Sequence, residues 1–162
     1  MGVIDELLRN NEAFAAGFTS SGRPAAPAKR LAIVACMDSR LDLFGMFGLA
    51  IGDAHLIRNA GGVVTDDVIR SLAISQRLGT TEVMLVHHTD CSLLTFTDDE
   101  LRGELQRETG IKPSWAAEAF SDLDEDVRQS IARVETSPFL RHTERVRGFV
   151  CDVTTGRVRE VA

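Results

Sequence analysis

Two uninterrupted apolar runs, Leu31–Ala35 and Val83–Val86, constrain this chain most, because each ends against residues that bind metals well. Runs of this length fit strands buried on both faces, as in a parallel sheet. Cys36 follows the first run directly and opens the stretch Cys36-Met37-Asp38-Ser39-Arg40. His88 and Cys91 come just after the second, within His88-Thr89-Asp90-Cys91. Open α/β sheets place their ligands beyond the carboxyl ends of the strands, and both sets of residues fall there.

Two thiolates and an imidazole form a soft to borderline donor set that suits Zn2+. Three protein ligands rather than four leave a coordination position for water, the catalytic arrangement. Such a metal lowers the pKa of its water to about 7, giving hydroxide for attack on an electrophilic carbon. Thiolate charge weakens the metal as an acid, so a further group must orient or deprotonate that water. Asp38 is the candidate, with Arg40 pairing with its carboxylate and holding it off the metal. The plainer alternatives are two core cysteines with a satisfied histidine, and a surface ion pair of little worth. Placement at two strand ends weighs against both.

The motifs resemble the signature of the β-class carbonic anhydrases, Cys-x-Asp-x-Arg after the first strand and His-x-x-Cys after the third. Cys36, Asp38 and Arg40 match the first motif, and His88 and Cys91 the second. Arg58-Asn59-Ala60-Gly61-Gly62 is similar to the family's Arg-Asn-Ala-Gly segment after the second strand. The resemblance runs in order from about Leu31 to Cys91. It implies zinc held by Cys36, His88 and Cys91, and catalysis assisted by Asp38 and Arg40, which orient the metal-bound hydroxide. In some members the aspartate takes the fourth zinc position instead. The implied activity is reversible hydration of carbon dioxide to bicarbonate, a lyase (carbonate dehydratase) reaction. The implied assembly is a homodimer or homotetramer.

Length and charge set the remaining bounds. A chain of 162 residues, 44% hydrophobic and 26% charged, reads as one domain, 1–162, with a core of ordinary size. Its 18 Lys and Arg against 24 Asp and Glu give a net charge of −6, which argues against a nucleic-acid partner. No apolar run approaches membrane-spanning length and the amino end lacks a signal-peptide core, so a cytoplasmic location is expected. Three cysteines, two of them proposed ligands, do not suggest a disulfide framework.

The expected fold is α/β, a mostly parallel sheet of about four or five strands flanked by helices. Residues 3 to about 17 carry Val3, Leu7, Phe14 and Phe18 on one side of an amphipathic helix. That helix packs on its own domain or, as the resemblance favours, on a partner subunit. Thr19–Pro24 has loop composition, and Leu41–Gly48 reads as a short helical segment over the site. Ala54–Arg58 is the second strand. A helix over Asp66–Leu78 is capped by Thr65 and Gly79, and the third strand is Glu82–His87. Ile69, Leu72, Ala73 and Gln76 mark the buried side of that helix. Thr97 to Glu100 is a capping box for a helix ending at Gly110. A further helix from Ser121–Asp124 to Pro138 buries Leu123, Val127, Ile131 and Val134. Arg147–Val153 and Arg157–Val161 form a hairpin around Thr154-Thr155-Gly156, one strand of it joining the sheet edge. Cys151 reads as a core residue, Trp115 as packing, and His87 as facing away from His88.

For the substrate, Gly61 and Gly62 allow close backbone approach to a ligand. Phe44, Met46 and Phe47 supply apolar surface near the first ligand, and Leu93, Leu94 and Phe96 near the last. Gly61, Gly62 and Phe44 are the substrate-binding candidates. Where many members of the resembled family carry Gln or Glu before Pro-Gly, this chain has Ala50-Ile51-Gly52, and His87 and Ser92 replace glycines around the second motif. The missing donor leaves a carbonyl sulfide hydrolase, using the same zinc chemistry, as the alternative activity. A zinc-stabilised binding module without turnover would need a fourth strong ligand, and only Asp38 is at hand. A cysteine phosphatase is excluded by spacing, because Asp42 stands where its motif needs Arg.

Overall fold

The computed structural model describes residues 2–19 and 22–162. The loop expected over Thr19–Pro24 therefore lies in part, at Ser20 and Ser21, outside the described residues. Five strands form one sheet in the order β2-β1-β3-β4-β5. They are β1 (Leu31–Cys36), β2 (Ala54–Asn59), β3 (Glu82–His88), β4 (Val146–Cys151) and β5 (Val158–Val161). The first four run parallel, and β5 closes one edge antiparallel to β4.

The apolar runs occupy the middle of the sheet for the reason their composition gives. Ala32 to Cys36 are all buried, with alternate residues feeding two cores. Ile33 and Ala35 pack with Leu41, Leu43, Val63, Val86 and Leu93 on one face. Ala32 and Val34 pack with Val64, Val68, Leu72, Leu85 and Val134 on the other. Neither face of β1 meets water, so only a continuous apolar sequence satisfies it.

Two long helices cover the face that carries Val34 and Leu85, and a short one packs against the other. α1 is Val3–Ala16, α2 Leu43–Phe47, α3 Asp66–Arg77, α4 Asp98–Thr109 and α5 Leu123–Glu135. The caps follow from side-chain chemistry: Thr65 Oγ1 accepts from the Val68 amide, and Asp122 Oδ1 from the Glu125 amide. At α4, the Glu100 amide donates to Thr97 Oγ1 while Glu100 Oε2 accepts from the Thr97 amide, a reciprocal capping box. α3 packs on β1 and β2, and α5 on β3 and β4. Buried Gln76 is the one polar member of the expected apolar side of α3. It keeps its place by accepting from the Arg141 and His142 amides and donating to the His142 carbonyl.

Several expectations shift. β2 and β3 each run one residue further, to Asn59 and His88, and β4 lies inside the sheet, paired parallel with β3, so that of the hairpin's two strands β5 is the one at the edge. Trp115 is 55% exposed, so packing does not account for it. α1 has no buried residue: Val3, Ile4, Leu7, Leu8 and Phe14 all face outward, and the reading in which it packs on its own domain does not hold. No helix among the described residues is long and apolar enough to cross a membrane.

The two glycines after β2 explain themselves against the chain's own backbone. Gly62 has φ +73°, and a Cβ there would lie 2.8 Å from the Cys36 amide nitrogen and 3.0 Å from the Ala35 carbonyl carbon. Gly61 has φ +78°, and a Cβ there would lie 2.3 Å from Leu93. The close approach foreseen at this turn is thus an approach to the end of β1 and to Leu93, and it locks the turn against the strand that carries Cys36.

Candidate active site

The site forms where β1 and β3 end side by side. Ala35 is paired with Val86, so Cys36 and His88 leave neighbouring strands at nearly the same level. Beyond Cys36 the chain turns over the sheet edge, and Arg58, at the end of β2, holds that turn by its carbonyls. Its Nε donates to the Cys36 oxygen (2.8 Å), its Nη2 to the Asp38 oxygen (2.6 Å) and its Nη1 to the Leu41 oxygen (3.3 Å). The Met37 amide donates in turn to the Asn59 carbonyl (2.7 Å).

Beyond β3, the Thr89 amide donates to the Cys151 carbonyl and Thr89 Oγ1 accepts from the Val153 amide, which ties the second loop to β4. Asp90 then takes a left-handed conformation, φ 56°, and Cys91 precedes a single 3-10 turn, Ser92–Leu94. The outcome is convergence. Ligand atoms of Cys36, His88 and Cys91 all lie within 4.8 Å of one another, and all three residues are buried.

Polarity at this trio is arranged around one imidazole nitrogen. His88 Nδ1 lies 2.8 Å from the Thr89 carbonyl and donates to it, which leaves the Nε2 lone pair directed at the sulfurs. That Nε2 is buried with no hydrogen-bond partner among the described residues. Buried polar atoms are rarely orphaned without a functional reason. The neighbouring Cys91 holds the Cys36 thiol far below its ordinary range despite burial, helped by His88 and by the Asp38 and Gly61 amides. The nearby Cys36 sulfur, together with burial, pushes Cys91 up. Burial presses the His88 imidazole down, but the Cys36 sulfur and the Thr89 carbonyl outweigh it and the net direction is up. A divalent cation fits this set: it would take the unpartnered imidazole lone pair and displace the thiol protons.

Asp38 stands beside the trio, its Oδ2 3.7 Å from His88 Nε2. Arg40 grips both of its oxygens, Nε to Oδ1 at 2.9 Å and Nη2 to Oδ2 at 2.7 Å, and the Arg40 amide adds a bond to Oδ1 at 2.9 Å. The guanidinium and that amide hold the Asp38 carboxyl well below the usual carboxylate range. Asp38 is therefore a permanently anionic acceptor whose lone pairs are largely engaged.

Other residues singled out from sequence fall elsewhere. Phe44 is 44% exposed and lines a groove along β2 and α3 with Leu56, Ile74 and Leu78, away from the trio. Met46, Phe47, Leu94 and Phe96 pack against the core cluster that contains Cys36, Cys91 and Leu93. Cys151 lies opposite His88 in register but outside the trio, its thiol pushed up by burial. His87 faces away, its Nε2 2.6 Å from Asp126 Oδ2 on α5. The carbonyl clamp of Arg58 and the contact of Asp90 with Arg40 were assigned no role from sequence. Their one signal is that each sits inside a motif stretch.

A sequence model described as carbonic anhydrase matches residues 31–115. Beta-carbonic anhydrase 1 of Mycobacterium tuberculosis is 57% identical over 162 residues, with 99% of each chain covered. The chain belongs to the β-carbonic anhydrases. A carbonic anhydrase structure from Streptococcus mutans superposes with a TM-score of 0.93 at 45% identity, covering 100% of this chain and 99% of that one. A carbon disulfide hydrolase of Acidianus sp. (strain A1-3) is 32% identical, over 82% of this chain and 77% of its own. β-Carbonic anhydrases are zinc enzymes, and the buried Cys-His-Cys trio is the donor set such an ion requires.

The chain is expected to hold one zinc ion, and Cys36→Ala, His88→Ala or Cys91→Ala to lose it or bind it far more weakly. Elemental analysis after dialysis against a chelator checks this, and full metal content in the Cys91→Ala protein would contradict the ligand assignment.

Proposed function

We propose that this chain catalyses the reversible hydration of carbon dioxide to bicarbonate and a proton. The observation that carries the reading is Asp38, anionic, gripped by Arg40 and set beside a trio that, among the described residues, groups three donors and no fourth. Cys36, His88 and Cys91 would hold a zinc ion, which would supply a water acidified enough to act as nucleophile near neutral pH. Asp38 would accept a hydrogen bond from the attacking water and orient it, and Arg40 keeps the carboxylate at its post. Arg58 maintains the loop from which Asp38 projects. Gly62 lets the turn after β2 lie against the end of β1 that carries Cys36, and Gly61 leaves room there for Leu93. The apolar residues packed around the ligands, among them Leu93 and Leu94, suit a small, poorly hydrated, linear substrate.

Hydrolysis of a linear sulfur substrate, carbonyl sulfide or carbon disulfide, is the second reading. The carbon disulfide hydrolase relative favours it, as does Ala50-Ile51-Gly52, which offers no side-chain donor to a bicarbonate oxygen.

Stopped-flow hydration of carbon dioxide on the zinc-replete chain tests the first reading. The rate is expected to rise toward alkaline pH as the nucleophile ionises. Asp38→Ala and Arg40→Ala are expected to keep their zinc and lose about tenfold or more in rate. Normal turnover in either variant removes the pair from the mechanism. Hydrolysis of carbonyl sulfide with negligible hydration of carbon dioxide would favour the second reading, and failure on both substrates would leave a zinc-stabilised binding module.

A homodimer or homotetramer is part of the same proposal. The outward apolar row of α1 and the unpaired edge of β2, with Phe44 exposed beside it, give a second copy apolar area and a strand edge to cover. Light scattering at micromolar concentration is expected to give twice or four times the chain mass; the mass of one chain would overturn it.

A further inference from the structure

Arg40 does not serve Asp38 alone. Its Nη1 donates to Asp90 Oδ2 at 2.7 Å, and its Nη2, besides holding Asp38, donates to the Asp90 carbonyl at 3.0 Å. One planar guanidinium is thus gripped along two edges: Nε and Nη2 face Asp38, while Nη1 and Nη2 face Asp90. Asp38 belongs to the loop after β1, and Asp90 lies between the ligands His88 and Cys91 in the loop after β3. The left-handed backbone at Asp90, φ 56°, turns both its carbonyl and its carboxylate toward Arg40.

We propose that Asp90 is a positioning residue that anchors the far edge of Arg40 and thereby keeps the Asp38 carboxylate off the metal position. Without that anchor, Arg40 and Asp38 can swing together about the loop after β1. Asp38 Oδ2, already 3.7 Å from His88 Nε2, is the carboxylate oxygen that would reach the ion. The inference rests on the zinc-site reading above.

Stability does not explain the contact. The Asp90 side chain is 78% exposed and that of Arg40 44%, a setting in which an ion pair contributes little to folding. The pair instead fixes a direction. A guanidinium paired with a single carboxylate can swing together with it, and one held along two edges cannot.

The test uses the full chain loaded with cobalt(II), whose visible spectrum reports the ligands of the metal. Asp90→Gly keeps the left-handed turn and the backbone carbonyl and removes the carboxylate. Its cobalt spectrum is expected to differ from the parent's, its hydration rate with zinc to fall about tenfold, and its melting temperature to stay close to the parent's. Adding Asp38→Asn should abolish the spectral difference, so that the double variant matches Asp38→Asn alone; a purely structural effect would persist. Asp90→Asn keeps the turn and a neutral acceptor and is expected to show a smaller change in the same direction, which also decides the matter if Asp90→Gly fails to fold. Parent-like spectra and rates in the Asp90 variants overturn the proposal while leaving the zinc site intact. So does loss of cobalt from Asp90→Gly, which would make Asp90 a support of the ligands. A parent chain that takes up no cobalt overturns the zinc-site reading, and this inference with it.

Discussion

The alignment of β1 with β3 is the constraint on which the site depends. Because Ala35 sits beside Val86, the first residue beyond one apolar run and the second beyond the other meet at a single edge of the sheet. Only burial on both faces holds these strands so firmly, and that burial demands the continuous apolar sequence each of them has. The sheet thus does for the ligands what no local loop could. It fixes two donors from residues about 50 apart in sequence, and the short 3-10 turn needs only to bring in Cys91.

What the strands deliver, arginines hold. Arg58 spends its donors on three carbonyls of the loop after β1, and Arg40 joins that loop to the one after β3 through Asp38 and Asp90. Both guanidiniums work by geometry: a planar fork with fixed donor directions can hold two segments at once, where a flexible ammonium could not. The buried trio is electrostatically unfinished by contrast. Two sulfurs and an imidazole nitrogen converge within 4.8 Å, and that nitrogen has no hydrogen-bond partner among the described residues. Leaving such groups uncompensated is costly in a low-dielectric setting, and a divalent cation satisfies all three together.

How much of this could be read from the sequence follows from the range of each interaction. Strands, caps and turn glycines are set by local patterns, and β1, the Thr65 cap and the Thr97–Glu100 box formed where those patterns put them. The convergence of Cys36, His88 and Cys91 needed one further rule, that parallel strands deliver their following loops to the same edge. Contacts between exposed or half-buried polar side chains of different loops leave no periodic trace. The clamp of Arg58 and the bridge from Arg40 to Asp90 were therefore silent. Phe44 stands close to Cys36 in sequence, but α2 turns it toward a groove along β2 and α3. For α1 the pattern was plain and the covering surface was not, because an apolar face does not say what it meets.

Zinc K-edge X-ray absorption on the metal-loaded chain tests the central claim most directly, since it counts the donors and names their elements. The expected shell holds two sulfurs at about 2.3 Å and two nitrogen or oxygen donors at about 2.0–2.1 Å. A shell with a third sulfur, which would bring in Cys151, or a shell with none, would contradict it.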